Sequence, residues 1–380
     1  MEPIYFDHAA TTRVLPEAAQ AALRAMTEEY GNPSSLYALG TRAAKALAAH
    51  REAVAQALGC QAGEVIFTSG GTEGDNWAIS LAAHLGRHRG KHIITTAVEH
   101  AAVLEPCKAL EAQGYQVTYL TPGPDGRVKV ADLEAALRPD TVLVSMMLVN
   151  NETGAIQPVK EAGQVLKRCR SQALLHTDAI QGFLKIPFTP KALGVDLLTV
   201  SGHKIGAMKG SGALYLRAGL RAVPLLRGGG QEKGLRSGTE PTPQIAALAA
   251  ACTLGKAALE DHQTYLTHLK TYALAAFQKA VPGLVVVAAG DAPHICAISL
   301  PGYPSQVVVR WLSDQGFCLS AGSACHRGQA SHVYAAMGLS KPVRDGMLRV
   351  SFGPENTQEE VDRLAQALGT ATQVLLPAGR

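Results

Sequence analysis

Seven short runs of β-branched and aliphatic residues, set between longer Ala-, Leu-, Glu- and Lys-rich segments, constrain this chain most. The runs are Glu64-Val-Ile-Phe-Thr68, His92-Ile-Ile-Thr-Thr96, Gln116-Val-Thr-Tyr-Leu120, Thr141-Val-Leu-Val-Ser145, Leu174-Leu-His-Thr177, Val195-Asp-Leu-Leu-Thr-Val200 and Ala213-Leu-Tyr-Leu216. They are largely apolar at successive positions, as in strands covered on both faces. Helical patterns near 73–86, 100–113, 130–137 and 158–170 lie between the earlier runs. Strands alternating with helices predict an α/β fold, a mainly parallel sheet covered by helices.

The rhythm then breaks. Residues 218–243 hold Gly228-Gly-Gly230, Gly234, Gly238 and three prolines and read as a long loop. One long helix is expected over 244–280, then short strands near 294–300, 317–320 and 347–351 with helices near 304–315 and 357–372. A chain of 380 residues accommodates two domains. We expect a large one over 14–257 and a smaller α+β one formed by 258–380 with 1–13.

Hydrophobic residues make up 47% and charged residues 17%, which excludes an intrinsically disordered chain. The net charge of +4 is dispersed. Its densest patch, Arg87, His88, Arg89, Lys91 and His92, follows a helix, where cations complement the terminal dipole. No direct nucleic-acid binding is expected. Neither a charged leader with an apolar core nor an uncharged apolar run of about 18 residues is present, so no membrane association is expected. Seven cysteines, widely spaced and without C-x-x-C, suggest neither a disulfide framework nor a metal site. These features point to the cytoplasm.

Three segments could carry chemistry. Thr68-Ser-Gly-Gly-Thr-Glu-Gly-Asp-Asn76 joins a strand to a helix, where backbone N–H groups can face an anion. It is not a Walker loop, and taken alone the plainer reading is a turn capped by Ser69 or Thr72. Asp178, at a strand end in His176-Thr-Asp178, is either a cap or a carboxylate paired with a protonated ring nitrogen. Lys204, in Ser201-Gly-His-Lys204 after the next strand, is either a surface lysine or an amine that forms a Schiff base. Together the three offer an anion cradle, a pyridinium partner and an imine-forming amine, which are what pyridoxal 5'-phosphate needs.

At this point a resemblance becomes plain. Asp7-His-Ala-Ala-Thr-Thr12, Gly31-Asn-Pro-Ser-Ser35, Phe67-Thr-Ser-Gly-Gly-Thr-Glu73, Val98-Glu-His100, Asn150-Asn-Glu-Thr-Gly154, His176-Thr-Asp178 and Ser201-Gly-His-Lys204 stand in order along the chain. Gly229-Gly-Gln-Glu232, Arg236-Ser-Gly-Thr-Glu240, Gly322-Ser-Ala-Cys325 and Leu348-Arg-Val-Ser-Phe-Gly353 follow. The chain resembles the class V, fold type I pyridoxal-phosphate enzymes, and among them the NifS/IscS-type cysteine desulfurases.

The resemblance implies that Lys204 holds the cofactor and later moves the Cα proton. Asp178 would pair with the ring nitrogen, Gln181 would hydrogen-bond the phenolic oxygen, and His100 would stack on the ring. Gly71, Thr72, Ser201 and His203 would surround the phosphate, with Thr239 reaching in from the second subunit of a homodimer. Asn151 and Arg349 would hold the substrate carboxylate, and no metal is implied. Cys325 would take sulfur from L-cysteine as a persulfide, leaving L-alanine. The small residues around it predict a mobile loop over 319–331, and the neighbouring His326 and Arg327 favour thiolate.

The sulfur would pass to an acceptor or scaffold protein for iron–sulfur cluster assembly or for tRNA or cofactor thiolation. Selenocysteine lyase, cysteine β-lyase and class V aminotransferase are alternatives that use the same site. The chain departs from the family pattern at His326-Arg327, at Met208 where proline is common, at Gly74 where serine is frequent, and in a short tail after Leu375.

Overall fold

The computed structural model describes residues 3–288, 290–322 and 331–377. Cys325, His326 and Arg327 lie outside the described residues. The chain begins with β1 (Ile4–Tyr5), α1 (Pro16–Thr27) and α2 (Ala38–Leu58). An alternating series follows: β2 (Val65–Thr68), α3 (Gly71–Gly86), β3 (His92–Thr96), α4 (Ala101–Glu111), β4 (Gln116–Leu120), α5 (Val130–Ala136), β5 (Thr141–Ser145) and α6 (Val159–Arg168). It continues through β6 (Leu174–Asp178), the short α7 (Pro190–Leu193), β7 (Leu197–Ser201) and β8 (Gly212–Leu216).

These strands form one seven-stranded sheet in the order β2-β8-β7-β6-β5-β3-β4. Only β8 runs antiparallel to its neighbours, and the other pairs are parallel. Successive strand residues divide between two apolar clusters, because side chains alternate across a sheet. Ile66, Ile93, Leu174, Leu197 and Leu214 pack with Trp77 and Leu81 of α3 on one face. Phe67, Ile94, Leu175, Leu198 and Tyr215 pack with Val54 and Leu58 of α2 and Leu248 on the other. Burial on both faces is why the strands read as continuous apolar runs.

The expected helix over 244–280 is two helices, α8 (Thr242–Ala257) and α9 (Leu259–Ala280), broken at Ala258. Each half follows a different core. Leu248 of α8 packs on the large sheet, whereas Leu266, Leu269 and Phe277 of α9 join a separate cluster. Glu260 and Asp261 in the first turn of α9 suit a new helix N-terminus.

The chain goes on through β9 (Val285–Ala288), β10 (Ile295–Ser299), α10 (Ser305–Asp314), β11 (Phe317–Cys318), α11 (His332–Ala336), α12 (Lys341–Asp345), β12 (Met347–Ser351) and α13 (Gln358–Val374). Here α11 and α12 pack in a smaller cluster around Met347, and the other elements carry that second cluster. Its sheet is antiparallel, in the order β12-β10-β9. The N-terminal β1 pairs with β11, and Phe6 joins the same apolar cluster.

The glycine-rich stretch 218–243 is ordered, with one 3-10 turn at Glu232–Gly234. Arg51 donates to both Glu232 carboxylate oxygens at 2.7 and 2.6 Å, and Glu232 also accepts from the Phe67 N–H at 3.0 Å. The Arg51 guanidinium lies 4.5 Å above the Phe67 ring. A second ion pair, Arg236 to Glu73 at 2.9 Å, holds the far side of the loop against α3. Removing one partner of a buried pair leaves the other charge uncompensated. Glu232→Ala should therefore destabilise the protein by about 3 kcal/mol, read as a lower urea midpoint.

Candidate active site

Polar residues gather where the parallel strands end, as ligand sites do in open α/β sheets. Asp178 closes β6, Ser201 closes β7, His203 and Lys204 follow it, and His100 caps α4 just after β3. These residues and Gly71, Thr72, Asn151, Gln181 and Arg349 line a single cavity of about 240 Å³. Ten of the residues singled out by sequence thus converge on one space. Thr239 does not line it and is exposed in the single chain.

One end of the cavity is the N-terminus of α3. Its N-cap is Gly70 and carries no side-chain cap, so neither Ser69 nor Thr72 closes this helix end. Ser69 instead donates to Glu73 at 2.6 Å. Gly70 sits at φ 149°, which side chains rarely adopt, and a Cβ on Gly71 would come within 2.1 Å of the Ile180 side chain. The close turn leaves the first N–H groups of a 16-residue helix without a side-chain cap, beside Thr72, Ser201 and His203. Burial, with Lys204 and Lys209 nearby, pushes His203 down to about 4, so its ring is neutral near pH 7. This end fits a phosphate group.

Near the centre, Lys204 donates to the Ala9 and Ala10 carbonyls at 2.6 and 2.7 Å. Gln181 donates its amide N–H to the same Ala9 carbonyl at 2.9 Å. The N-terminal segment therefore furnishes the floor on which both side chains rest, a role of backbone atoms that the side-chain pattern does not reveal. His100 accepts from the Ala102 N–H at 3.1 Å through Nδ1, which leaves Nε2 to carry the proton of the neutral ring.

Asp178 accepts from the Ile180 N–H at 2.9 Å, which orients its carboxyl. Burial, reinforced by the neighbouring Asp75, pushes it up to about 7. A protonated heterocycle beside it would reverse that shift. A carboxyl made costly to ionise by a dry site fits a cationic ring nitrogen. The cavity thus matches pyridoxal 5'-phosphate at its phosphate end, at its amine and at its ring-nitrogen partner.

Arg349 approaches from β12 and is 1% exposed. It donates to the Asn151 carbonyl at 2.9 Å and to Asp7 at 2.8 Å. Among the described residues its buried Nε meets no partner. A guanidinium with a spare donor at a cavity wall is suited to a carboxylate.

Two departures from the family pattern have structural consequences. A Cβ on Gly74 would come within 2.5 Å of Thr199, so glycine lets α3 lie close against β7. Met208 packs on α1 and α8, and its carbonyl accepts from Ser211 at 2.6 Å, which holds the turn without proline. Among the described residues no cluster suited to a metal ion occurs.

Residues 4–364 match the aminotransferase class-V family. The chain belongs to this family. It is 40% identical to a cysteine desulfurase IscS of Methanosarcina thermophila over 98% of this chain and 92% of that one. Identity to a cysteine desulfurase of Trichormus azollae is 42%, over 97% and 92%. Among solved structures, a NifS-like protein superposes with a TM-score of 0.93 at 35% identity, covering 98% of this chain and all of that one. SspA, solved in complex with cysteine, gives 0.80 at 33% identity over 93% of this chain and 100% of that one. The fold is thus that of NifS-like class-V enzymes.

The raised Asp178 carboxyl carries a signed pH effect. A carboxyl near 7 in the folded protein and 3.8 when unfolded favours folding most below 3.8, and this contribution is lost as pH rises through 7. In cofactor-free protein, Asp178→Asn should raise the melting temperature at pH 8, with the gain shrinking towards pH 4. Thermal melts across that range check it.

Proposed function

We propose that the chain is a cysteine desulfurase that converts L-cysteine to L-alanine and retains the sulfur as a persulfide on Cys325. The observation that carries this reading is the single cavity holding Lys204, Asp178, His100 and the buried Arg349 in a chain about 40% identical to cysteine desulfurases over nearly its full length. Pyridoxal 5'-phosphate bound there would supply an electron-withdrawing ring that makes the Cα proton of an amino acid acidic and its C–S bond labile.

The protein's own residues do the rest. Arg349, with Asn151, orients the substrate carboxylate and so selects an α-amino acid. The Lys204 amine moves the proton at Cα, and the helix end at Thr72 with Ser201 and His203 grips the phosphate. Gln181 would hold the phenolic oxygen and His100 would lie against the ring. The Cys325 thiolate attacks the substrate sulfur, so an S–S bond forms as the C–S bond breaks and carbon gains a proton. L-Cysteine and a thiol become L-alanine and a persulfide, and no external oxidant is needed.

In this reading residues 14–257 form the cofactor-holding domain, and 1–13 with 258–380 form the smaller one. The separate apolar clusters on the two sheets support that division. The enzyme acts in the cytoplasm, where thiols stay reduced. The persulfide is passed to an acceptor protein for iron–sulfur cluster assembly or for thiolation of tRNA or cofactors.

It acts as a homodimer, with Thr239 contributing to the partner's phosphate site. The exposed strip Leu23, Met26, Tyr30, Leu36 and Tyr37 supports such an interface, with Leu36 fully exposed. Sedimentation should show a dimer, and Leu36→Asp should shift it towards monomer and weaken cofactor retention. A monomeric variant that holds the cofactor as tightly as the dimer would rule out the role given to Thr239.

The direct test is the absorbance spectrum of purified protein before and after L-cysteine, with alanine and persulfide assayed from the same sample. A visible band that shifts, with alanine formed and sulfur trapped on Cys325, is the expected result. Cys325→Ala should retain the spectral shift and lose persulfide formation. A band that ignores cysteine would redirect the assignment to the aminotransferase or lyase reactions.

A further inference from the structure

Asp75, in α3, is absent from the cavity wall, is fully buried and has no place in the mechanism above. Among the described residues neither of its oxygens meets a partner in good hydrogen-bonding geometry. Three polar neighbours stand beside it: Asp178, Thr199 and the His176 Nε2, the last at 3.4 Å. The narrow glycine at position 74 brings the carboxyl this close, because any side chain there would strike Thr199.

His176 does not supply a cation. Its Nδ1 lies 2.9 Å from the Ser145 hydroxyl and its Nε2 3.2 Å from that of Thr199, both neutral groups. Burial pushes its ring down to about 4, so it is neutral at physiological pH. His100 is the other titratable base facing Asp75, and it lies across the cavity wall at the start of α4. The remaining acid is Glu99, also buried, which burial pushes well above the usual carboxylate range and which lies near both aspartates.

Two carboxyls in one dry site do not both ionise: the charge of Asp75 raises the proton affinity of Asp178, and a hydrogen bond between the two shares the proton that remains. On the cofactor reading above, the ring nitrogen requires Asp178 in its charged form. The single proton of the pair then belongs to Asp75. A neutral carboxylic acid has one O–H to donate, and the strongest acceptor beside it is the Asp178 carboxylate.

We propose that Asp75 is a positioning residue for the ring-nitrogen site: as the neutral acid it donates its O–H to Asp178 and keeps that carboxylate charged and aimed at the cofactor. Asp75 touches neither cofactor nor substrate, and its effect passes through Asp178. The role needs a neutral donor and no negative charge. An amide at position 75 therefore serves as well as the acid.

The experiment titrates pyridoxal 5'-phosphate into cofactor-free wild-type, Asp75→Asn and Asp75→Ala proteins. It reads the dissociation constant from visible absorbance and the protonation of a 15N-labelled ring nitrogen by NMR. Asp75→Asn should bind within about threefold of wild type and keep the ring nitrogen protonated. Asp75→Ala should bind about 10- to 100-fold more weakly, the scale of a lost hydrogen bond to a charged group, and shift the ring nitrogen towards its unprotonated form.

An Asp75→Ala protein equal to wild type in both readouts would overturn the proposal. So would an Asp75→Asn protein whose ring nitrogen loses its proton, because that result would mean Asp75 works as a charged group. The Asn variant alone decides this point if the Ala variant fails to fold. A wild-type protein that takes up no pyridoxal phosphate would overturn the cofactor reading itself, and this inference with it.

Discussion

A guanidinium almost sealed from water stands where the small sheet meets the large one. Arg349 is an interior residue of β12, yet it reaches the Asn151 carbonyl beyond β5 and the carboxylate of Asp7. A buried cation without a counter-charge is costly, so Asp7 and the chain around it must be held in place. Ser320 donates to Asp7 at 2.9 Å, and Ser351 receives the Ala9 N–H at 2.9 Å. The segment so fixed presents the Ala9 and Ala10 carbonyls to Lys204 and Gln181. One buried charge thereby couples the smaller unit, the N-terminal strand and the amine at the centre of the site.

The remaining electrostatics of the cavity follow from dryness. Asp178 and Asp75 are pushed up by burial, and His176 and His203 are pushed down by it, so each group leans towards neutrality. A zwitterionic ligand with an anionic phosphate and a cationic ring would restore charge where the protein has left it costly. The polar ends of the site are thus poised for a partner with the opposite pattern, and the helix end at Gly70 adds a fixed positive field. Rigidity around them comes from the paired loop anchors Arg51–Glu232 and Arg236–Glu73.

Much of this was legible in the residues. Strands β3, β4 and β5 coincide with their runs, and β2, β6, β7 and β8 lie within two residues of theirs, because burial on both faces leaves an unmistakable signal in all but the half-exposed edge strand β4, whose β-branched and aromatic residues mark it instead. The site was legible for a different reason. Asp178, Ser201, Lys204 and His100 sit in short polar motifs next to apolar strands, and such motifs mark strand ends. The break at Ala258 was not legible, since Gly255 stands inside the last turn of α8 rather than past its end, and the residues that follow it through Glu260 are mostly good helix formers. β9, half-exposed and only four residues long, left too weak a pattern to find.

The sequence by itself determined the α/β class, the order of the sheet-forming runs and the chemical types at the site. These depend on local periodicity and on side-chain identity, which are properties of neighbouring residues. Tertiary structure decided what depends on residues far apart in the chain. It set Asp75 against Asp178, gave Arg349 its counter-charge from the N-terminal segment, and turned two alanine carbonyls into the seat of Lys204. Backbone acceptors and buried like charges have no sequence signature. Their effect arises only when folding removes water and brings the groups together.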